Sequence, residues 1–358
     1  MEALKDWVHR NRWLAGAVER AKNQRRDEAF SKHLERSIGE AVRWQSRAAA
    51  LQCARAQVSA LTLIADQPPR KGSPSKVRIR TNDLQVLRDV LDAGDAIDAS
   101  TLRAAERVAS IDPEDVSAFK LYLAVFWLVH AELIGSLRST SRDRIVLHMS
   151  CVPRLDRADR SIDSFGTSAS SLDHLKLVGT GRQYTFDTAT QVLGVPAGDS
   201  YECLPQKVFQ ALAFLTLAHN PSVLVKLDDD HRLANGNELE KLLSFAAASR
   251  EPMQLGEVNR TASPSAHHRG WHFGKCARSE LNEQILEMPA PVKWAAGSAG
   301  YIVNRGALWR ILWSSLYYRQ WLETILYEDI ALAEVATKTG IRIVQVRMNR
   351  AIGAVAEY

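Results

Sequence analysis

The stretch Val223 to Arg232, VLVKLDDDHR, constrains this chain more than any other. Val223, Leu224, Val225, Lys226 and Leu227 are mostly apolar and β-favouring, so they predict a strand buried on both faces. That strand runs directly into Asp228, Asp229 and Asp230, and in an open α/β sheet ligands bind at the carboxyl ends of the strands. Three adjacent carboxylates repel one another unless a cation offsets them. Oxygen donors of this kind suit a hard divalent ion, Mn²⁺ or Mg²⁺, that also takes substrate phosphates as ligands. A second reading stays open beside it. Leu233 to Ala248 has helical texture, and aspartates make good N-caps and first turns.

With 358 residues the chain has room for about two domains, and 46% hydrophobic against 24% charged residues is enough apolar material for a sizeable core. Cys53, Cys151, Cys203 and Cys276 match no zinc or CxxC spacing and read as reduced thiols of a cytoplasmic protein. The opening MEALKDWVHRNRW lacks the apolar run of a signal peptide, and Leu121 to Leu137, interrupted by His130 and Glu132, reads as a buried helix rather than a membrane span. The net charge of +5 sits in residues 1–56, where 12 Lys or Arg face 7 Asp or Glu. Such helices could meet an anionic membrane surface or an acidic partner, or simply present a solvated face. No nucleic-acid-binding motif accompanies the charge, so nucleic acid is not expected as a partner.

Residues 1 to about 66 read as helical, with Phe30, Leu34, Ile38 and Val42 on one stripe, until QPPRKGSPSK (Gln67–Lys76) ends the run. Further helices are predicted from Thr81, from a cap at Ser100 or Thr101, and from the Asp112–Pro113 start signal to about Leu137. The predicted helical domain therefore spans 1–139, and the polar stretch Arg138 to Arg144 marks its end. Beyond it, strands at Ile145–Met149, Leu175–Val178 and Val223–Leu227, with a helix from Pro205 to Ala218, predict an α/β domain over 143–358 with a mainly parallel sheet. Gly256 to Lys275 reads as a mobile polar loop carrying His267, His268 and His272, whose spacing fits no tight metal-ligand pair.

Two later stretches carry more chemistry. In KWAAGSAGYIVNRG, Gly297 and Gly300 permit close backbone approach before a strand at Tyr301. In LYEDIALAEVATKTGI, Glu328 and Asp329 open a helix that Gly340 closes; acidic residues also favour helix starts on their own account.

In order, RIVLHMSCVPRLDRADRSIDSFG, DSYECLPQKV, VKLDDDHRL, AAGSAGYIV and YEDIALAEVATKTGI resemble the motif series of inverting GT-A glycosyltransferases, in particular glycosyltransferase family 31, the β-1,3-galactosyltransferase and Fringe-like group. The resemblance covers about Arg144 to Val346 and implies a GT-A domain after an all-α N-terminal domain. It implies that Asp228 and Asp230 hold Mn²⁺ or Mg²⁺ against the diphosphate of a nucleotide sugar, a UDP-sugar, and that Asp229 contacts the ribose or sugar. Asp329 would be the general base toward a glycan acceptor hydroxyl, and Glu328 would orient the helix start or the acceptor. Arg160 and Lys207 would line the nucleotide pocket; Gly297, Gly300 and Tyr301 would form the wall where donor and acceptor meet, with Trp294 as a sugar-stacking platform.

The pattern is broken in two places: Asp163 stands where the family has a second arginine, and no histidine follows His272, where the family places a late metal ligand. A histidine of the 256–275 loop is one way to fill that gap. The helical segment in place of an N-terminal membrane anchor points to a bacterial-type enzyme of surface-polysaccharide synthesis, in the cytoplasm or peripheral to the inner membrane. The competing readings are a non-catalytic nucleotide-sugar- or glycan-binding protein on the same scaffold, and a metal-dependent nucleotidyl- or phosphotransferase that also uses the aspartates.

Overall fold

The computed structural model describes residues 29, 31–44, 46–65, 81–94, 97–111, 115–140, 143–166, 172–260, 268–284, 286–287 and 293–354. Residues 1–28 of the basic segment, the Gln67–Lys76 linker, the Asp112–Pro113 start signal and His267 lie outside them.

The first layer is helical: α1 (31–42), α2 (Arg47–Ala65), α3 (Thr81–Ala93), α4 (Ala99–Ala109), α5 (Val116–Val129) and α6 (Ala131–Thr140). The caps shift from the expected residues. Asp98 caps α4, accepting from the Ser100 and Thr101 N–H groups, while Thr101 completes a capping box; Asp115 caps α5. Leu121 to Leu137 is two helices rather than one, bent by 74° at His130. No single helix among the described residues is long and apolar enough to cross a membrane.

The chain then alternates strands and helices: β1 (Arg144–Met149), α7 (Leu155–Asp163), β2 (Asp173–Gly179), β3 (Thr185–Asp187), β4 (Val192–Val195), α8 (Leu204–His219) and β5 (Val223–Asp228). Next come β6 (His231–Leu233), α9 (Gly236–Ala248), β7 (Met253–Gly256), β8 (Val258–Arg260), β9 (His268–Arg269), β10 (Leu286–Glu287) and β11 (Lys293–Ala295). The last are β12 (Tyr301–Asn304), α10 (Arg305–Tyr317), α11 (Arg319–Leu322), α12 (Glu328–Thr339), β13 (Arg342–Gln345) and β14 (Ile352–Ala354). Eight strands form one mostly parallel sheet in the order β13-β7-β12-β5-β1-β2-β4-β3.

Two features of this order place the site. The connections leave β1 first toward β2 and later return to β5 on its other side, so the carboxyl ends of β1 and β5 border a topological switch point. β12 runs antiparallel to β5, with Tyr301 opposite Lys226, so the glycine-rich turn that opens β12 lies beside the aspartates that end β5.

Alternation along the central strands feeds two cores. Ile145, Leu147 and Leu224 face a large core that also contains α1–α6, α8, α10 and α12 residues; Val146, Val223, Val225 and Leu227 face a smaller one with α9. The large core is continuous across residues 139–143, so the predicted boundary is a change of secondary structure and not a break in packing. Arg138 seals this junction: its guanidinium donates to Ala218 O at 2.6 Å, Trp44 O at 2.8 Å and Val42 O at 2.8 Å.

Candidate active site

The aspartates do not cap a helix. After Asp228 the chain turns and returns as β6, and α9 starts three residues later under its own cap, Asn235, which accepts from Asn237 N–H at 3.0 Å and Glu238 N–H at 3.2 Å. The helix-cap reading of the cluster is thereby overturned.

The turn is held by His231, which is buried. Its Nδ1 accepts from the Asp228 N–H at 2.8 Å, so Nε2 carries the proton and donates to Ser298 O at 2.9 Å. Asp228, Asp230 and His231 offer donor atoms within 4.8 Å of one another. Both imidazole nitrogens are already engaged, so His231 shapes the site while the two carboxylates, 27% and 39% exposed, are the groups open to a cation. Oxygen donors alone suit a hard ion such as Mn²⁺ or Mg²⁺.

His272 is not a spare ligand either. It is fully buried, donates from Nε2 to Gln284 O at 2.9 Å and accepts the Tyr327 hydroxyl at 2.6 Å on Nδ1. The segment Gly256 to Lys275, expected to be a mobile loop, contains β8 and β9, and the chain that follows it is tied down. Glu202 accepts the Ala277 and Arg278 N–H groups, and Asn282 bonds both the N–H and the carbonyl of Cys276.

Asp229 points inward, accepting the Ser150 hydroxyl at 2.9 Å, and burial pushes its carboxyl up. The guanidinium of Arg157 lies 3.8 Å from Asp229 Oδ1 and 3.7 Å from Asp230 Oδ2. Arg160, expected in the pocket, instead pairs with Asp156 at 2.8 Å on an exposed face of α7.

Lys207 is likewise corrected from a pocket-lining residue to a brace. Its ammonium, 1% exposed, donates to Ser150 O at 2.7 Å and Asp199 Oδ1 at 3.0 Å. Asp199 in turn accepts the Gly179 and Val152 N–H groups, each at 2.7 Å, tying the ends of β1 and β2 together.

The centre of the site is a residue to which the sequence assigned no role. Lys226, 1% exposed, lies 2.7 Å from Asp228 Oδ1 and 2.9 Å from Glu328 Oε1. The two carboxylates hold its ammonium firmly charged despite burial. Glu328 is 6% exposed, and burial, together with the charges of Asp329 and Asp228, pushes its carboxyl up to about 7 against the pull of Lys226. The signal for Lys226 was a lysine inside an apolar strand, which is rarely buried unless paired.

Asp329, half-buried, accepts the Gly297 N–H at 3.1 Å and the Ile330 N–H at 2.9 Å, and desolvation raises its pKa. Both glycines sit where a side chain would crowd its neighbours, and Gly300 also needs its positive φ. A Cβ on Gly297 would lie 3.0 Å from Glu328 Oε2; Gly300, at φ 74°, would put one 2.7 Å from Leu227 Cδ2. Tyr301 and Trp294, expected on the wall and as a stacking platform, are 0% and 1% exposed and pack beneath the site. Trp271, 40% exposed, stands above them, its ring centroid 6.5 Å from Trp294 and 5.5 Å from Tyr327.

The structure thus gathers Asp228, Asp229, Asp230, Gly297, Gly300, Glu328 and Asp329 and sets Arg160, Lys207, Tyr301 and Trp294 outside the accessible surface of the cluster. Chemically, it offers an oxygen-lined cation position beside a half-buried carboxylate held by a backbone N–H. Compared with known protein-family models and with curated proteins, the chain shows no match.

Proposed function

We propose that the chain is a metal-dependent inverting glycosyltransferase on a GT-A-type scaffold, moving a sugar from a UDP-sugar to a hydroxyl of a glycan acceptor in the cytoplasm, as in surface-polysaccharide synthesis. One observation carries the reading: two acidic sets about a hundred residues apart are joined through the buried Lys226 and the Gly297 turn. A structural ion pair alone would need neither the second carboxylate at Asp230 nor the half-buried Asp329.

Asp228 and Asp230 would hold the Mn²⁺ or Mg²⁺, which when bound neutralises the diphosphate leaving group. Arg157, beside Asp229 and Asp230, adds a second positive charge on that side. Asp329 takes the proton of the acceptor hydroxyl as its oxygen bonds to the anomeric carbon; the bond to the diphosphate breaks on the opposite face and its electron pair leaves with the nucleotide. Its raised pKa makes Asp329 a stronger base than an exposed aspartate. Glu328 stays on Lys226 and fixes the helix start from which Asp329 projects.

The test is UDP release from a UDP-sugar panel with Mn²⁺ and a glycan acceptor mixture. Asp329→Asn is expected to lower turnover about 10²–10⁴-fold while leaving calorimetric affinity for Mn²⁺–UDP unchanged; near-normal turnover would remove Asp329 as the base. Asp228→Ala and Asp230→Ala, or chelation of the metal by EDTA, are expected to abolish metal-dependent UDP binding. UDP-sugar binding by the native chain with no turnover of any acceptor would replace the enzyme with a binding protein.

A further inference from the structure

Two exposed aromatic side chains stand on one short segment that packs through Trp271 on Tyr327, two residues before Asp329. Trp271 is 40% and Phe273 45% exposed, and they flank the fully buried His272. The segment is a rigid mount, held by Tyr327 and Gln284 through His272 and by Glu202 through Ala277 and Arg278. The Phe273 ring lies along the turn at Gly270, where a Cβ would come within 2.7 Å of it. Large aromatic faces left in water on a preorganised base are the pattern of a binding surface rather than of unfinished packing.

Trp271 also touches both halves of the acceptor side. Its ring meets Tyr327, two residues before Asp329, and Trp294, three residues before Gly297, whose N–H bonds Asp329. The contacts to Asp229 and Asp230 come instead from Ser150, Arg157 and His231.

We propose that Trp271 and Phe273 form the acceptor subsite, taking the apolar face of a pyranose ring; naming it the acceptor side rests on the glycosyltransferase reading. The C–H bonds of one pyranose face carry partial positive charge and pack on the negative face of an aromatic ring, while the hydroxyl rim needs polar surroundings. Lys275, Arg278 and Glu280, exposed on the same 268–284 segment, are candidates for that rim. A helical peptide would call for a longer apolar stripe than two rings set among charges.

The experiment uses the full chain with saturating Mn²⁺–UDP and a probe panel of methyl β-galactoside, methyl β-glucoside, lactose and N-acetyllactosamine. Binding is read by saturation-transfer NMR and by titration. At least one probe is expected to bind through one ring face. Trp271→Ala and Phe273→Ala should each weaken it about tenfold, and Trp271→Phe should recover most of the Trp271 loss, with Mn²⁺–UDP affinity unchanged in all three. Equal probe binding by folded Trp271→Ala and Phe273→Ala variants, or no probe bound by the native chain, would overturn the subsite. If probes bind through Trp271 while Mn²⁺–UDP does not bind, the subsite stands and the transferase reading falls. If Mn²⁺–UDP binds and sugar binding ignores both rings, the reverse holds.

Discussion

Lys226 shows how much one residue organises. A lysine ammonium that is 1% exposed is tolerated because Asp228 and Glu328 both face it. Lys226→Met would leave two carboxylates confronting each other and is expected to cost about 3–5 kcal/mol in urea unfolding. Lys226→Met with Glu328→Met should recover a substantial part of the loss. A double variant as unstable as the single one would show that the pair is not coupled. A second buried set, His148 and His174, responds to acid. Ser161 gives its hydroxyl proton to His231 O at 2.6 Å, so His148 donates from Nδ1 to Ser161 and accepts the His174 Nδ1–H at 3.0 Å. Burial lowers both imidazoles, His174 to about 4. The unfolded chain therefore binds the proton first: this stability is complete above pH 6.5 and lost as pH falls toward 4. For His174 alone the loss is about 3 kcal/mol by pH 4, and His174→Gln should flatten the pH dependence of urea stability in that window. Glu328 has the opposite sign, its raised pKa costing stability as pH climbs from its ordinary range through about 7.

At the scale of elements, the DSYECLPQK stretch is a set of braces. Asp199 and Lys207 tie the ends of β1 and β2, and Glu202 grips the 268–284 segment. Asp199, Lys207 and Glu202 thus spend their charges on structural hydrogen bonds. The turn before β12 is as demanding. Gly300→Ala combines the left-handed φ of 74° with a 2.7 Å clash against Leu227 and is expected to cost about 1–3 kcal/mol. Thermal unfolding checks this; an unchanged midpoint would mean the turn relaxes freely.

Strand β5 and its terminal carboxylates were legible because a short apolar run that ends abruptly in charge fits a strand leaving the core for a polar edge and little else. The facing of Trp294 and Tyr301 was not, since an aromatic beside a glycine turn reads alike whether it points in or out. Nor was the phase of α7, where Arg157 and Arg160 lie one turn apart and only packing chooses between them. His231 was hidden because nothing local announces that the chain doubles back as β6, and the Lys226–Glu328 pair joins segments that only the sheet order brings together.

Over the whole molecule, the helical layer and the sheet share one core, which the alternation of helices and strands in sequence does not convey. A chain cut to 143–358 would expose the α8 and α10 surfaces that α1–α6 cover, and is expected to lose a cooperative unfolding transition in calorimetry. Within the full chain, Arg138→Ala should cost about 3 kcal/mol by releasing three carbonyls at the junction. A cooperative, native-like melt of the 143–358 fragment would refute the shared core.

That shared core also sets a timetable during synthesis. The helices emerge first, yet their apolar partners on α8 and α10 are translated only later, the last by Tyr317. At about 5–20 residues per second, the nascent helical layer waits roughly 10–35 s with its sticky face uncovered. Folding yield should therefore depend on what shields a growing chain on the ribosome more than on the stability of the finished protein.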